Sequence, residues 1–313
     1  MQRTSHVLMV RPSVFRSNEE TAASNHFQQP TAASDEEVLS SALEEFDGFV
    51  DLLRAHGVDV WVVQADADAD VPDAVFPNNW ISFHSDGRIA LYPMQAENRR
   101  RERREDIVAD IEHVRGFEVT EVVDFTEFEE HARFLEGTGS IVLDRAHKKA
   151  YAALSPRTDR QALERFCEAF DYEGIAFHAM QTVGEKRLPI YHTNVMMGIG
   201  TGFAAVCLDC VDDAEEREML RESLQEDGLE IIELTESQIA QFAGNLLEIE
   251  GAGGQPLIAI SRQGFTALRS DQTEALQRHG TLLTPDLTTI ETHGGGSARC
   301  MLAEIHLPLH TPA

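Results

Sequence analysis

The chain has 313 residues, enough to bury a substantial core in one or two domains. Hydrophobic residues make up 42% and charged residues 26%, a balance that excludes wholesale disorder and a membrane protein. The net charge of −28 excludes a general nucleic-acid binder, because a phosphate backbone would be repelled. Only three of the 26 basic residues are lysines: Lys148, Lys149 and Lys186. An acidic, lysine-poor surface stays hydrated at high ionic strength, so the composition reads as halophilic in type.

Four cysteines (Cys167, Cys207, Cys210 and Cys300) are too few for a disulfide scaffold in a chain of this length. The opening M-Q-R-T-S-H-V-L-M-V-R-P has no basic segment followed by a signal-length apolar run, and a reducing cytoplasm is the expected compartment. Residues 188–208 are uncharged and of membrane-spanning length. They contain His192, Asn194, Gly198, Gly200 and Gly202, so they read as buried strands around a glycine turn.

In chain order the pattern is strand, turn, strand, helix, strand, repeated. Residues 79–94 read as a hairpin turning at S-D-G, followed by an Arg/Glu-rich helix over 97–114 and a strand E-V-T-E-V-V. A second unit runs from Ser140: S-I-V-L-D, A-Y-A-A-L, a helix over 158–170, then G-I-A-F-H-A. A third starts at Asn194, with V-M-M-G-I-G, F-A-A-V-C-L, a helix over 213–225 and L-E-I-I-E-L. A fourth starts at Leu246, with L-L-E-I, L-I-A-I-S, a helix over 270–279 and G-T-L-L-T. The fifth is split across the termini: C-M-L-A-E-I-H-L near the end, H-V-L-M-V, a helix over 36–56 and D-V-W-V-V near the start. Five ββαβ units, one completed by both termini, predict an α/β array closed into a ring, which leaves no unpaired edge.

Chemistry-capable residues sit just before each unit's first strand. They are Asn79 in F-P-N-N-W, Glu136 in F-L-E-G-T-G-S, His192 in Y-H-T-N, Asn245 in F-A-G-N and Cys300 in G-G-G-S-A-R-C-M. Successive separations are 57, 56, 53 and 55 residues. In a pseudo-symmetric ring such positions converge, gathering a thiol, an imidazole, a carboxylate and two amides. Cys300 follows Gly294–Gly295–Gly296, which permits close approach of backbone to ligand. Of the basic run 99–104, one of Arg99, Arg100 or Arg103 could bind a substrate carboxylate with its guanidinium fork. The rest read as a helix face paired with Glu97, Glu102, Glu105, Asp106 and Asp110. Cys207 and Cys210 read as structural cysteines on opposite faces of a strand.

The sequence resembles the guanidine-modifying (amidinotransferase, arginine-deiminase-like) superfamily. More narrowly, it is similar to the arginine-deiminase-related citrulline utilisation hydrolases. The carriers are R-P-S-V-F, N-E-E-T-A-A-S-N-H-F-Q, F-P-N-N-W, Y-P-M-Q-A-E-N-R-R-R-E-R-R, L-E-G-T-G-S, Y-H-T-N-V-M-M, Q-F-A-G-N and the cysteine segment. The resemblance implies a pentein, a five-bladed ββαβ propeller, here one catalytic domain over 1–313. It implies covalent catalysis without metal or cofactor: Cys300 attacks a guanidino or ureido carbon, His192 moves the protons, and Glu136 holds the substrate nitrogen and orients His192. A histidinium would be the cation that lowers the thiol pKa.

Asn79, Asn194, Asn245, Arg99 and Arg103 are the expected substrate contacts. The deiminases of this superfamily carry aspartates at the positions matching Asn79 and Asn194, whereas some guanidine dihydrolases carry asparagine. Neutral amides there favour a ureido group, and citrulline hydrolysis to ornithine, carbon dioxide and ammonia is the leading expectation. Arginine or methylarginine hydrolysis is next, then amidino transfer, then a non-catalytic binding module. The expected partner is an amino-acid substrate, with no nucleic acid and no membrane; a homo-oligomer is compatible with the sequence.

Overall fold

The computed structural model describes residues 1–22, 24–29 and 31–310. Ala23, in the N-E-E-T-A-A-S-N-H-F-Q motif, and residues 311–313 lie outside them. Over the described residues the architecture is mixed α/β: five three-stranded sheets with helices between their strands, and a separate two-stranded hairpin.

Every sheet has one plan. A first strand runs antiparallel to a central strand, a helix crosses over, and a third strand returns parallel to the central one. One sheet is Ala303–Glu304, His6–Arg11 and Asp59–Gln64, with the helix Asp35–Ala55 as its crossover. The next is Ile81–Phe83, Arg88–Leu91 and Glu121–Asp124. Then come Val142–Asp144, Lys149–Ala153 and Glu173–Phe177, around the helix Arg160–Phe170. Met197–Gly200, Phe203–Val206 and Glu230–Glu233 enclose Ala214–Glu226. Leu247–Glu250, Pro256–Ala259 and Thr281–Leu283 enclose Ser270–His279.

The central strands are short apolar runs such as L-I-A and F-A-A-V, buried on both faces as expected for strands packed on each side. Their helices bury one stripe; Phe46, Phe49 and Leu53 of Asp35–Ala55 are fully buried. Ser34 caps that helix, its hydroxyl accepting from Glu37 N–H and Glu37 reaching back to Ser34 N–H.

Neighbouring sheets share cores in sequence. Leu8 and Val10 pack with Ile81, Phe83 and Ile89. Ala90 and Tyr92 pack with Leu143 and Ala150. Tyr151 shares a core with Ile199, Ala205 and Ile258. Ile249 and Leu257 pack with Val7 and Met9 of the terminal sheet.

The structure corrects three local expectations and adds one element. The helix expected over 97–114 is two helices, Glu97–Arg100 and Glu105–His113, interrupted over residues 101–104, where Glu102 is buried against Arg99. The last expected strand is only Ala303–Glu304. A hairpin, Met180–Val183 with Lys186–Pro189, lies outside the repeat; its polar V-G-E-K turn carries no apolar signal. Cys207 and Cys210 do not face opposite ways: the turn Leu208–Cys210 brings the two buried sulfurs to 3.2 Å. No helix among the described residues is long and apolar enough to cross a membrane.

Candidate active site

Short helical turns precede the first strands of three sheets: Pro77–Asn79, Gly137–Ser140 and Thr193–Val195. They pack on one another because two glycines leave room. Gly137 has φ +47°, and a Cβ there would run into the backbone of Asn78. A Cβ on Gly139 would collide with the Asn79 amide and come within 2.8 Å of His192 Nδ1. Thr193 Oγ1 donates to Ser140 O, tying the second turn to the third. The L-E-G-T-G-S motif is therefore a packing requirement, and it sets Asn79, Glu136 and His192 side by side.

Glu136 is fully buried. One carboxylate oxygen accepts from Gln95 N–H at 2.9 Å; the other accepts from His192 Nε2 at 2.7 Å and Arg157 Nη1 at 3.4 Å. Arg99 Nη1 stands 3.8 Å away. Burial alone would raise its pKa, but Arg157, His192 and Arg99 together hold it well below the usual carboxylate range. His192 is pushed down to about 4, chiefly by burial and against the pull of Glu136. At neutral pH its imidazole is uncharged. Since Nε2 donates to an ionised carboxylate, Nδ1 carries the free lone pair.

Cys300 follows the helix Thr288–Gly294 and a glycine turn. Phe76 packs against Gly294 and Gly296, while Gly295 (φ +64°) lies against the Asn25 amide. Tyr191 Oη and Asn25 Nδ2 both donate to Gly295 O, fixing the turn. The sulfur is buried and accepts from Asn245 Nδ2 at 3.2 Å and Asn194 Nδ2 at 3.4 Å. His192 is not among its hydrogen-bond donors, contrary to the expected histidinium partner.

Cys300, His192, Asn79 and Arg99 line one cavity, together with Asp73, Arg157, Tyr191, Asn25 and Phe76. Its free space is about 10 Å³, room for roughly one water. Two of its lining residues are held from the N-terminal segment: Arg157 donates to Thr21 O and Ser24 Oγ, and Asn18 donates to Asp73. Arg99 is gripped in a fork by Glu102 (2.8 and 2.9 Å) and donates to Asn79 Oδ1 at 3.0 Å. Burial pushes Glu102 up to about 7, against the pull of Arg99.

The structure thus brings together Cys300, His192, Glu136, Asn79 and Arg99 of the sequence-predicted residues. Asn194 and Asn245 meet the sulfur but do not line the cavity. Arg103 stands outside it, bound to Tyr92 O and Glu129; Arg100 also pairs with Glu129. Two ionic groups escaped sequence reasoning. Asp73 lies in V-P-D-A-V-F, six residues before Asn79, and Arg157 in L-S-P-R-T-D, so neither occupies the repeating position. Asp73 is buried with Oδ1 unpartnered. Among the described residues one trio could hold a metal: Asp144, His147 and Asp227. His147 is bonded to Asp144 and Asp227 to Lys149, outside the Cys300 cavity.

The fold and the site define a pentein-type α/β protein with a buried Cys and His lining one cavity and a buried Glu bonded to the His. A family model described as "N,N dimethylarginine dimethylhydrolase, eukaryotic" matches residues 11–307. The chain belongs to that family, a hydrolase family of the guanidine-modifying superfamily.

Among solved structures it is similar to the N-terminal domain of ArgZ, an arginine dihydrolase of the ornithine-ammonia cycle in Cyanobacteria, in a substrate-bound mutant. That likeness has 16% identity and a TM-score of 0.74, over 97% of this chain and 99% of the domain. The chain spans 41% of full-length ArgZ. It is similar also to a mutant of AgrE in complex with L-arginine (17% identity, TM-score 0.72, 98% of this chain and 41% of the other). A dimethylarginine dimethylaminohydrolase adduct with S-methyl-L-thiocitrulline gives 16% identity and a TM-score of 0.63, over 97% of this chain and all of the other. At these identities the likeness concerns the fold. No curated protein matches the sequence.

Proposed function

We propose that the chain is a single pentein catalytic domain, a closed five-bladed propeller, that hydrolyses guanidino and ureido C–N bonds of an amino acid to leave ornithine. The cyclic sharing of cores between sheets supports the ring. The observation that carries the chemistry is the single cavity holding Cys300 beside the Glu136–His192 pair. Cys300 attacks the substrate's terminal carbon while His192 Nδ1 relays a solvent proton to the departing nitrogen, which leaves as ammonia; water, losing its proton to Nδ1, then adds to the carbon and releases the thiolate. Glu136 holds the imidazole Nε2–H throughout.

Two polar atoms of the cavity walls support acceptance of both substrate types. Asp73 Oδ1 is an unpartnered carboxylate oxygen, suited to a cationic nitrogen. Asn79 is turned the other way. Arginine has only donors, so Arg99 requires Oδ1 of Asn79, which leaves Nδ2 as an unpartnered donor. A ureido carbonyl satisfies that donor and a guanidinium does not. A guanidino substrate would therefore pass through its ureido product in the same site, whose thiocarbamate ends as ornithine and carbon dioxide. The ArgZ name, arginine dihydrolase, supports this reading.

The test is product analysis with arginine, citrulline and methylarginine. Ornithine from both arginine and citrulline is expected. Arginine yielding citrulline alone would make the protein a deiminase, and citrulline alone turning over would make it a ureido hydrolase. Asn79→Asp removes the donor from a buried contact worth roughly 1–3 kcal/mol, so citrulline kcat/KM should fall by roughly 5- to 150-fold relative to arginine.

A further inference from the structure

We propose that Asn194 and Asn245 hold Cys300 as a thiolate, donating two side-chain amide N–H bonds to Sγ in place of an imidazolium partner. The geometry leaves the Asn245 amide one useful orientation. Asn245 is fully buried, and its Oδ1 accepts from Arg299 N–H at 3.0 Å. A backbone N–H can only donate, so Oδ1 is committed and Nδ2 faces the sulfur, donating also to Asn194 O at 3.0 Å. Asn194, also fully buried, directs its own Nδ2 at the sulfur.

Hydrogen bonds to the charged form of a group favour that form, and they act more strongly in a water-poor interior. The other titratable groups around the sulfur act differently. His192 commits Nε2 to Glu136. Arg99 is forked on Glu102, and Arg157 is spent on Glu136, Thr21 and Ser24. Asp73 and Tyr191 line the cavity and carry no positive charge. Arg299, next in the chain, turns to Leu302 O and Glu304. The two amides are thus the donors aimed at Sγ. A neutral His192 then remains a base for water, a role an imidazolium bound to the thiolate would have lost.

The inference rests on Cys300 being the nucleophile, but its test does not require turnover. Ultraviolet thiolate absorbance, taken as wild type minus Cys300→Ser, is titrated against pH. The midpoint is compared between wild type and the amide variants. Asn245→Ala should raise it by about one pH unit, and Asn194→Ala should raise it in the same direction. Asn245→Asp keeps the acceptor for Arg299 N–H, so it preserves the fold while removing the donor; its midpoint should rise at least as far. His192→Asn should leave the midpoint in place. Activity of Asn245→Ala should recover at alkaline pH, which a merely structural defect would not do. An unchanged midpoint in the Asn245 variants, or an equal rise in His192→Asn, overturns the proposal. Failure of Cys300→Ala to abolish turnover would instead overturn the assigned reaction.

Discussion

Glu136 and His192 form a buried pair in which the carboxylate is charged and the imidazole is not. The reason is the company Glu136 keeps: Arg157 and Arg99 already meet its charge, so burial dominates at His192. Both pKa values lie below their ordinary values. The unfolded chain therefore binds more protons than the native one as pH falls, and stability follows. The His192 contribution is complete above about 6.5 and is lost as pH falls towards about 4, at up to ~1.4 kcal/mol per pH unit. Denaturant midpoints between pH 7 and 4 should drop more steeply in wild type than in His192→Asn; parallel slopes would refute a neutral buried imidazole. Cys300→Ala should lose all turnover and keep its fold, because the covalent route disappears while one buried small residue replaces another. A variant retaining a tenth of wild-type kcat would identify another nucleophile.

Among the elements, the turn Gly137–Ser140 sets the site geometry. The sequence made Glu136 legible because an isolated carboxylate among Phe134, Leu135 and Gly137 needs a partner. It did not make the glycines legible, since the atoms a Cβ would strike belong to Asn78, Asn79 and His192, far along the chain. Gly139→Ala should therefore displace His192 or Asn79 and cut kcat by ~100-fold or more, since small misplacements of reacting groups are expensive. Near-wild-type kcat would mean the turn has slack. The segment around Thr21 and Ser24 is the second element of consequence. Thr21 and Ser24 accept from Arg157 and so fix the position of a guanidinium that lines the Cys300 cavity. Ser24→Ala removes two of these bonds and should alter KM more than thermal stability, measured by steady-state kinetics beside a melting curve.

Across the molecule, charge is the dominant feature. A net charge of −28 on one chain repels itself, and salt screens that repulsion. Many acidic groups pair locally with arginine, as in Arg11 with Asp47 and Arg221 with Glu233, but exposed pairs of this kind contribute little. The melting temperature should rise as sodium chloride increases from low to molar concentration. A flat or falling curve would separate the acidic composition from any adaptation to salt.

The repeat was readable without coordinates because period-two apolar runs, glycine turns and amphipathic helices are local signals; the helix Ser270–His279 has the bounds its periodicity predicts. Near-equal spacing likewise brought out Asn79, Glu136, His192, Asn245 and Cys300. Only the tertiary structure decided what each of them faces. Asn245, expected to bind substrate, lies against the sulfur because Arg299 N–H claims its carbonyl. Arg103, one letter among five arginines, is held by Glu129, while Arg99 turns inward to Glu102. Asp73 and Arg157 entered the cavity from outside the repeating positions. Spacing along a chain reports which residues share a level of the fold; the direction of a side chain is set by partners that are distant in sequence and meet only when the sheets pack.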